Sequence, residues 1–491
     1  MDSILFVDIP TYDVTLDEEY QNLLTKRLKL QRIIMNTKTQ RELIRGQINY
    51  SRGLLSIATS ARRKGIKTKY LVYSDADDRA QLNDCIINAR YIAISALTPT
   101  IALVLHILRQ AKKLNPQITT IVGGPHTQYC SNEVIENEAV DIVSVGDGIE
   151  NIPLIAEGRP LHTIPNLLYK TESQTILNTI TSGLVNSRLL LDDIVDYSLL
   201  SKQPSFYSHN LRTQNGCPFE CTFCYESKTL SKTTCSKVPI CTILQEIDYL
   251  NRSLLPNTLV HFSDPVFTLD KKRTISLCEG IAALQPQIVF SMDTRIDCID
   301  DEIISALAKA NILIYRFGIE DGNQKIVNNA SKSIGVSSLF DLSSRIRRIA
   351  PNSIILVYWI TGLPGTTMNT IKENANFLKH IVSSKTVDIV GNKLLVPYPG
   401  TDYADMPQKY GMHINTKDWR LYDRLSRPVY DLDTMNSNAI YDSFIYLEQV
   451  LVDAYESVVA AIDNPAKMIS CDTLDYVYFS YLKEKAEQNN I

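Results

Sequence analysis

The feature that most constrains this chain is an alternation of short apolar runs with helix-like segments, repeated in two series along most of its length. In the first series, residues 4–7, 68–73, 91–95, 119–122 and 142–145 are apolar runs of strand length. Residues 53–64, 100–114 and 132–138 between them carry helical periodicity. Strands that alternate with helices pair in parallel and are covered on both faces, so the spacing predicts a doubly wound α/β module over residues 1–150. Residues 10–50 are polar and helix-like, a large insertion between the first strand and the helix that begins near Arg52.

The second series has candidate strands at residues 209–213, 259–262, 288–292, 313–317, 354–360 and 387–396, the first of them short and largely polar. Six such βα units over residues 207–400 predict a parallel barrel or a partial one, a (β/α)6 TIM-type arrangement. Residues 151–206 read as a connecting region with a minor hairpin strand at 166–169. Residues 401–491 are strand-poor, and the helical periodicity of 438–463 predicts a helical C-terminal subdomain.

Fifty basic against fifty-four acidic side chains leave a formal charge of −4, which disfavours nucleic acid as a partner because that binding rests on phosphate neutralisation. The basic runs at residues 26–29 and 62–64 read as solvated faces. No apolar run reaches the length of a membrane-spanning helix. The start, MDSILFVDIP, lacks a basic leader, so a cytoplasmic location is expected. In a reducing compartment the ten cysteines should be thiols.

Three of those ten stand in one short stretch, NGCPFECTFCY at residues 215–225, as Cys217, Cys221 and Cys224. A structural zinc ion takes four ligands, and only Cys235 or Cys241 stands near, without a paired spacing. Coincidental core thiols are a second reading, but Pro218, Glu220 and Thr222 between them describe a loop and not an apolar face. The third reading is an iron-sulfur cluster on three thiolates, with its fourth iron open to a small molecule.

With Phe223 before the last cysteine and a candidate strand before the first, this stretch resembles the cysteine loop of the radical S-adenosylmethionine (SAM) superfamily. FSDPVF at 262–267, SMDTRID at 291–297, RFGIEDGNQ at 316–324, ITGLPGTT at 360–367 and VPYPGT at 396–401 resemble, in order, the strand-end signatures of its subgroup with an N-terminal cobalamin domain. The resemblance implies a 4Fe-4S cluster on Cys217, Cys221 and Cys224 with SAM on the open iron. Phe223, Asp264, Ser291, Arg295, Gly318, Glu320 and Gly362 are the implied SAM neighbours, Glu320 and Arg295 suiting its ribose hydroxyls and carboxylate.

The first module carries its own loops. Ser95-Ala96-Leu97 ends one run, IVGGPHTQYC places Gly123, Gly124, Pro125 and His126 after the next, and VDIVSVGDGIE places Gly146, Asp147 and Gly148 after the last. Together they resemble the cobalamin-binding domain of the same subgroup. Residues 73–81 read YSDADDRAQ where a DxHxxG loop would stand, so the resemblance implies cobalamin without a lower axial histidine from the protein. The implied activity is a cobalamin-dependent C-methyltransferase acting on an unactivated carbon of a natural-product or peptide intermediate, served by an electron donor such as flavodoxin or ferredoxin. A cyclase or rearrangement enzyme without net methylation, or a first domain that has lost cobalamin, are the alternatives. The other cysteines, at 85, 130, 235, 241, 278, 298 and 471, are scattered and imply no second cluster; Tyr403, Tyr410, Tyr422, Tyr430 and Tyr441 in the tail are read mostly as packing.

Overall fold

In a computed structural model of the chain, residues 3–9, 16–46, 48–73, 78–171, 174–178, 194–228 and 236–462 are described. Cys235 and Cys471, residues 74–77 of the 73–81 stretch and the end of the tail lie outside them.

Two sheets, the first parallel over β1 to β5 and the second parallel throughout, account for both series. The first has seven strands in the order β2-β1-β3-β4-β5-β6-β7. Strands β1 (Ser3–Asp8), β2 (Lys67–Val72), β3 (Tyr91–Ser95), β4 (Thr119–Gly123) and β5 (Ile142–Ser144) run parallel. Alternate side chains leave on opposite faces of a strand, and here both faces are apolar. Ile4 and Phe6 pack under α2 (Arg52–Arg63), while Leu5 and Val7 pack under α3 (Asp78–Ile87), α4 (Ile101–Leu114) and α5 (Thr127–Glu136). Beyond β5, β6 (Leu167–Lys170) and β7 (Thr175–Leu177) add antiparallel, so part of the expected connector extends this sheet.

The second sheet, in the order β13-β12-β11-β10-β9-β8, is a six-stranded parallel partial barrel. Its strands are β8 (Asn210–Leu211), β9 (Leu259–Phe262), β10 (Val289–Thr294), β11 (Ile312–Glu320), β12 (Ile354–Thr361) and β13 (Ile389–Leu394). Val260, Phe262, Phe290, Met292, Phe317 and Val357 face the covering helices and are fully buried. The alternate positions line the interior.

The helix α1 (Glu18–Thr39) is the insertion after β1, and it leaves the first sheet to cover the last barrel strand. Its buried Arg27 donates to Val390 O and pairs with Glu448 of the helix Ser437–Ala460, both at 2.7 Å. The tail is not purely helical: β14 (Met412–Ile414) and β15 (Tyr430–Leu432) form a small antiparallel pair. Trp419 of this region donates to Glu133 on α5 at 2.6 Å, tying the tail to the first sheet's helices. Tyr403, Tyr422, Tyr430 and Tyr441 are buried as packing residues, and Tyr410 is half-buried. Among the described residues no helix is long and apolar enough to cross a membrane.

Candidate functional site

The cysteine loop leaves β8 at the C-terminal end of the barrel, and a buried carboxylate sets its course. Asp264, just past β9, accepts from the backbone N–H of Thr213 at 2.7 Å, of Gln214 at 3.0 Å, and from the Thr213 hydroxyl at 2.6 Å. The loop then brings Cys217, Cys221 and Cys224 together as free thiols, Cys221 buried and the other two half-buried. Burial pushes all three thiols up, Cys224 to about 12, and the three lie within electrostatic reach of one another. Lys332 and Arg295 oppose the rise at Cys221. Among the described residues no three His, Cys, Asp or Glu side chains converge on a point that would hold a single metal ion. A four-iron cluster does not ask for that, because each thiolate ligates a different iron.

Around Cys221 the strand ends supply a compact cationic wall. Arg295, after β10, stacks over Phe219 of the cysteine loop at 3.7 Å, grips Asp297 through two bonds of 2.9 and 2.8 Å, and donates to the Lys332 carbonyl at 2.9 Å. The Lys332 ammonium pairs with Glu320 and lies 5.6 Å from the Phe223 ring centroid. Glu320 ends β11 at a bulge with a positive φ of 71°, a backbone region that few non-glycine residues occupy. Gly318 leaves the space that Glu320 and Lys332 fill, since a Cβ there would meet both.

The remaining expected SAM neighbours have other partners. Asp264 anchors the loop backbone. Ser291 points to the barrel interior, its hydroxyl 3.0 Å from His261 Nδ1. Gly362 packs against the tail, where Tyr430 donates to its carbonyl at 2.7 Å and where a Cβ would strike the Tyr430 hydroxyl and Ile440. Lys332 and Phe219 were not expected, and no local pattern marks either one.

A cavity of about 410 Å³ opens between the first sheet and this loop. Ser95, Gly123, Gly124, Pro125, Gly146, Asp147 and Gly148 form one wall, and Arg212, Asn215, Tyr225 and Glu226 form another. Gly124 is required by its neighbours, because at φ 99° a Cβ would stand 2.5 Å from Ser95 Oγ and 2.8 Å from Ala96 N. Burial pushes the Asp147 carboxyl up to about 6. The cavity-lining Ser144 hydroxyl is buried without a partner among the described residues, a polar atom left for a ligand. Two expected residues do not line this cavity. Leu97 is exposed, and His126 turns away to meet Thr98 Oγ1 at 3.2 Å and Trp419 edge-on at 5.3 Å. The two walls are held together by Arg52 on α2, which forks onto Glu246 of the barrel helix Ile240–Ser253 through two bonds of 2.7 Å.

Residues 45–156 match the B12 binding domain, and residues 211–378 match the radical SAM superfamily. The chain joins a B12-binding domain to a radical SAM domain. An uncharacterized methyltransferase from Pyrococcus horikoshii is 24% identical over 384 residues, 74% of this chain and 81% of that protein. Two solved structures share the fold of both domains. TsrM, a radical SAM methyltransferase from Kitasatospora setae solved with cobalamin and a [4Fe-4S] cluster, is 14% identical with a TM-score of 0.64, covering 85% of this chain and 78% of that one. OxsB, a cobalamin-dependent SAM radical enzyme solved with aqua-cobalamin and SAM, is 14% identical with a TM-score of 0.68, covering 99% of this chain and 71% of that one. The cavity thus lies where the B12-binding domain faces the radical SAM domain, at the carboxyl ends of both sets of parallel strands, where such sheets bind ligands.

Proposed function

We propose that this protein is a cobalamin-dependent radical SAM methyltransferase acting on a small-molecule or peptide intermediate at an unactivated carbon. The observation that carries the reading is the shared cavity, whose walls are the glycine loops of the B12-binding domain and the residues flanking the cysteine loop. The donor set fits the groups: three clustered thiols suit a 4Fe-4S cluster, and an unpartnered hydroxyl beside small residues suits a bulky polar ligand such as cobalamin. Cys217, Cys221 and Cys224 would hold the cluster, Phe223, Arg295, Gly318, Glu320 and Lys332 would surround SAM, and Ser95, Gly123, Gly124, Ser144 and Gly146 would meet cobalamin. When bound, these groups supply hydrogen-atom abstraction and a transferable methyl group.

The chain's own residues position and screen. Asp264 holds the start of the cysteine loop, and Arg295 and Lys332 place positive charge beside Cys221, where thiolates and the SAM carboxylate would stand. Arg52 and Glu246 keep the two walls in register. The names of the Pyrococcus relative and of TsrM support methyl transfer.

Anaerobic reconstitution tests the reading. One sample should contain about four irons and one cobalamin per chain, and Cys217→Ala should abolish the iron while the cobalamin remains. With reductant, S-adenosylhomocysteine should form only when cobalamin is bound. Iron without cobalamin would remove the methyltransferase assignment, and product without S-adenosylhomocysteine would point to a cyclase or rearrangement enzyme.

A further inference from the structure

A side chain of the first domain reaches the cysteine loop. In GGPHTQYC, residues 123–130, Gly124, Pro125 and Gln128 line the cavity, and the next residue, Tyr129, turns to the barrel. Its hydroxyl donates to the Tyr225 carbonyl at 3.4 Å. Tyr225 directly follows Cys224 and lines the cavity from the opposite wall. Tyr129 thus ties one wall to the other beside the third cysteine of the loop.

The backbone on both sides is shaped to put it there. The start of α5 is tight, with the N–H groups of Tyr129 and Cys130 both donating to the His126 carbonyl, at 3.3 and 3.0 Å. Cys130 then leaves helical geometry, at φ −119° and ψ 27°, so α5 bends just after Tyr129. Facing it, the loop after β13 leaves a hollow at Gly400, where a Cβ would stand 2.3 Å from the Tyr129 ring. Gly400 has a φ of 82°, in the left-handed region that glycine enters freely. Thr401 fixes this turn, its N–H and hydroxyl donating to the Tyr398 carbonyl at 3.1 and 2.7 Å. One turn farther along α5, Glu133 accepts from Trp419 of the tail.

We propose that Tyr129 is a positioning residue that couples the two cofactor sites, so that loading the cysteine loop with its cluster tightens cobalamin binding. The inference rests on reading the chain as an enzyme that holds both groups. Ligation of Cys224 would fix Tyr225, and through its carbonyl the Tyr129 hydroxyl. The start of α5 and the Gly124–Pro125 turn before it would then be ordered in advance. Ordering done for one ligand is not repeated for the next, which is read as a gain in affinity. The bond of 3.4 Å is at the weak end of the hydrogen-bond range, so the link answers to small movements of either wall.

Hydroxocobalamin binding to the full chain, measured by equilibrium dialysis without oxygen before and after cluster reconstitution, tests the coupling. In the wild type the Kd should fall about tenfold once the cluster is in place. Tyr129→Phe keeps the ring in its hollow and removes the hydroxyl. Its cluster-free Kd should match the wild type's, and the ratio of the two Kd values should fall by more than about twofold. Gly400→Ala displaces the ring and should lower the ratio likewise. Gly365→Ala strains a barrel loop at a φ of 94° but meets no atom nearer than 3.7 Å, and should keep the ratio. A wild-type ratio below about three, a Tyr129→Phe ratio within about twofold of the wild type's, or equal losses in the two glycine variants overturns the proposal. Iron and cobalamin per chain in the same samples separate the two readings. A chain that takes up only one group, or neither, fails the two-cofactor reading and the coupling with it. A chain that takes up both without a change in Kd fails the coupling alone.

Discussion

Lys332 and Glu320 form an ion pair in which the two side chains keep only 8% and 7% of their surface, beside Cys221 and the Phe223 ring. Removing one partner of a buried pair leaves an uncompensated charge, which costs about 3–5 kcal/mol, whereas replacing both with apolar groups is close to neutral. Lys332→Met should therefore destabilise strongly and Lys332→Met/Glu320→Leu much less, read by urea denaturation of the cluster-free protein. Equal losses in the single and double variants would show that the two charges are not a unit.

Asp264 is a positioning residue for the cysteine loop. Asp264→Ala strands the buried N–H groups of Thr213 and Gln214, each worth about 1–3 kcal/mol when unsatisfied. Asp264→Asn keeps an acceptor for both. Iron retention after gel filtration should fall in the alanine variant and persist in the asparagine variant. If the two lose iron alike, the carboxylate's charge matters and not its acceptor geometry.

Adjacent glycines should respond differently. Gly124→Ala meets Ser95 and the Ala96 backbone at a left-handed φ and should cost about 1–3 kcal/mol. Gly123→Ala meets Ser144 no closer than 3.6 Å, an ordinary contact, so the same denaturation measurement should show less than about half that loss.

His126 gives the protein an acid limb. Burial pushes its imidazole down from 6.5 to about 4, so between those values the unfolded chain binds the extra proton and the folded chain does not. Stability from this residue is complete above pH 6.5 and is lost as pH falls towards 4, by on the order of 3 kcal/mol. The difference in unfolding free energy between the wild type and His126→Gln should change across that window and be flat above it. A constant difference from pH 7 to pH 4 would contradict the burial.

Strands were the most legible part of the fold, because apolar runs bounded by turns carry a local signal. The β6–β7 pair was half seen, since Leu167 to Tyr169 is apolar but the Thr175–Leu177 strand is too short to register alone. The α1 placement was not legible, because its polar surface hides a few buried charged residues whose partners are hundreds of positions away. Ser291 and Gly362 were legible as strand-end positions, but that the Ser291 hydroxyl lies beside His261 inside the barrel and that Gly362 packs on Tyr430 of the tail depends on partners far along the chain.

What the sequence by itself determined is whatever depends on residues a few positions apart: the CxxxCxxC loop, the glycine turns after apolar strands, and the period that makes two parallel sheets. Tertiary structure alone decided that Asp264 holds the cysteine loop, that Lys332 neutralises Glu320, and that Arg316, Tyr358 and His261 meet on Asp293. The reason is physical. Spacing sets which way a side chain leaves its strand, but the charge it meets there belongs to whichever strand the sheet order places next to it.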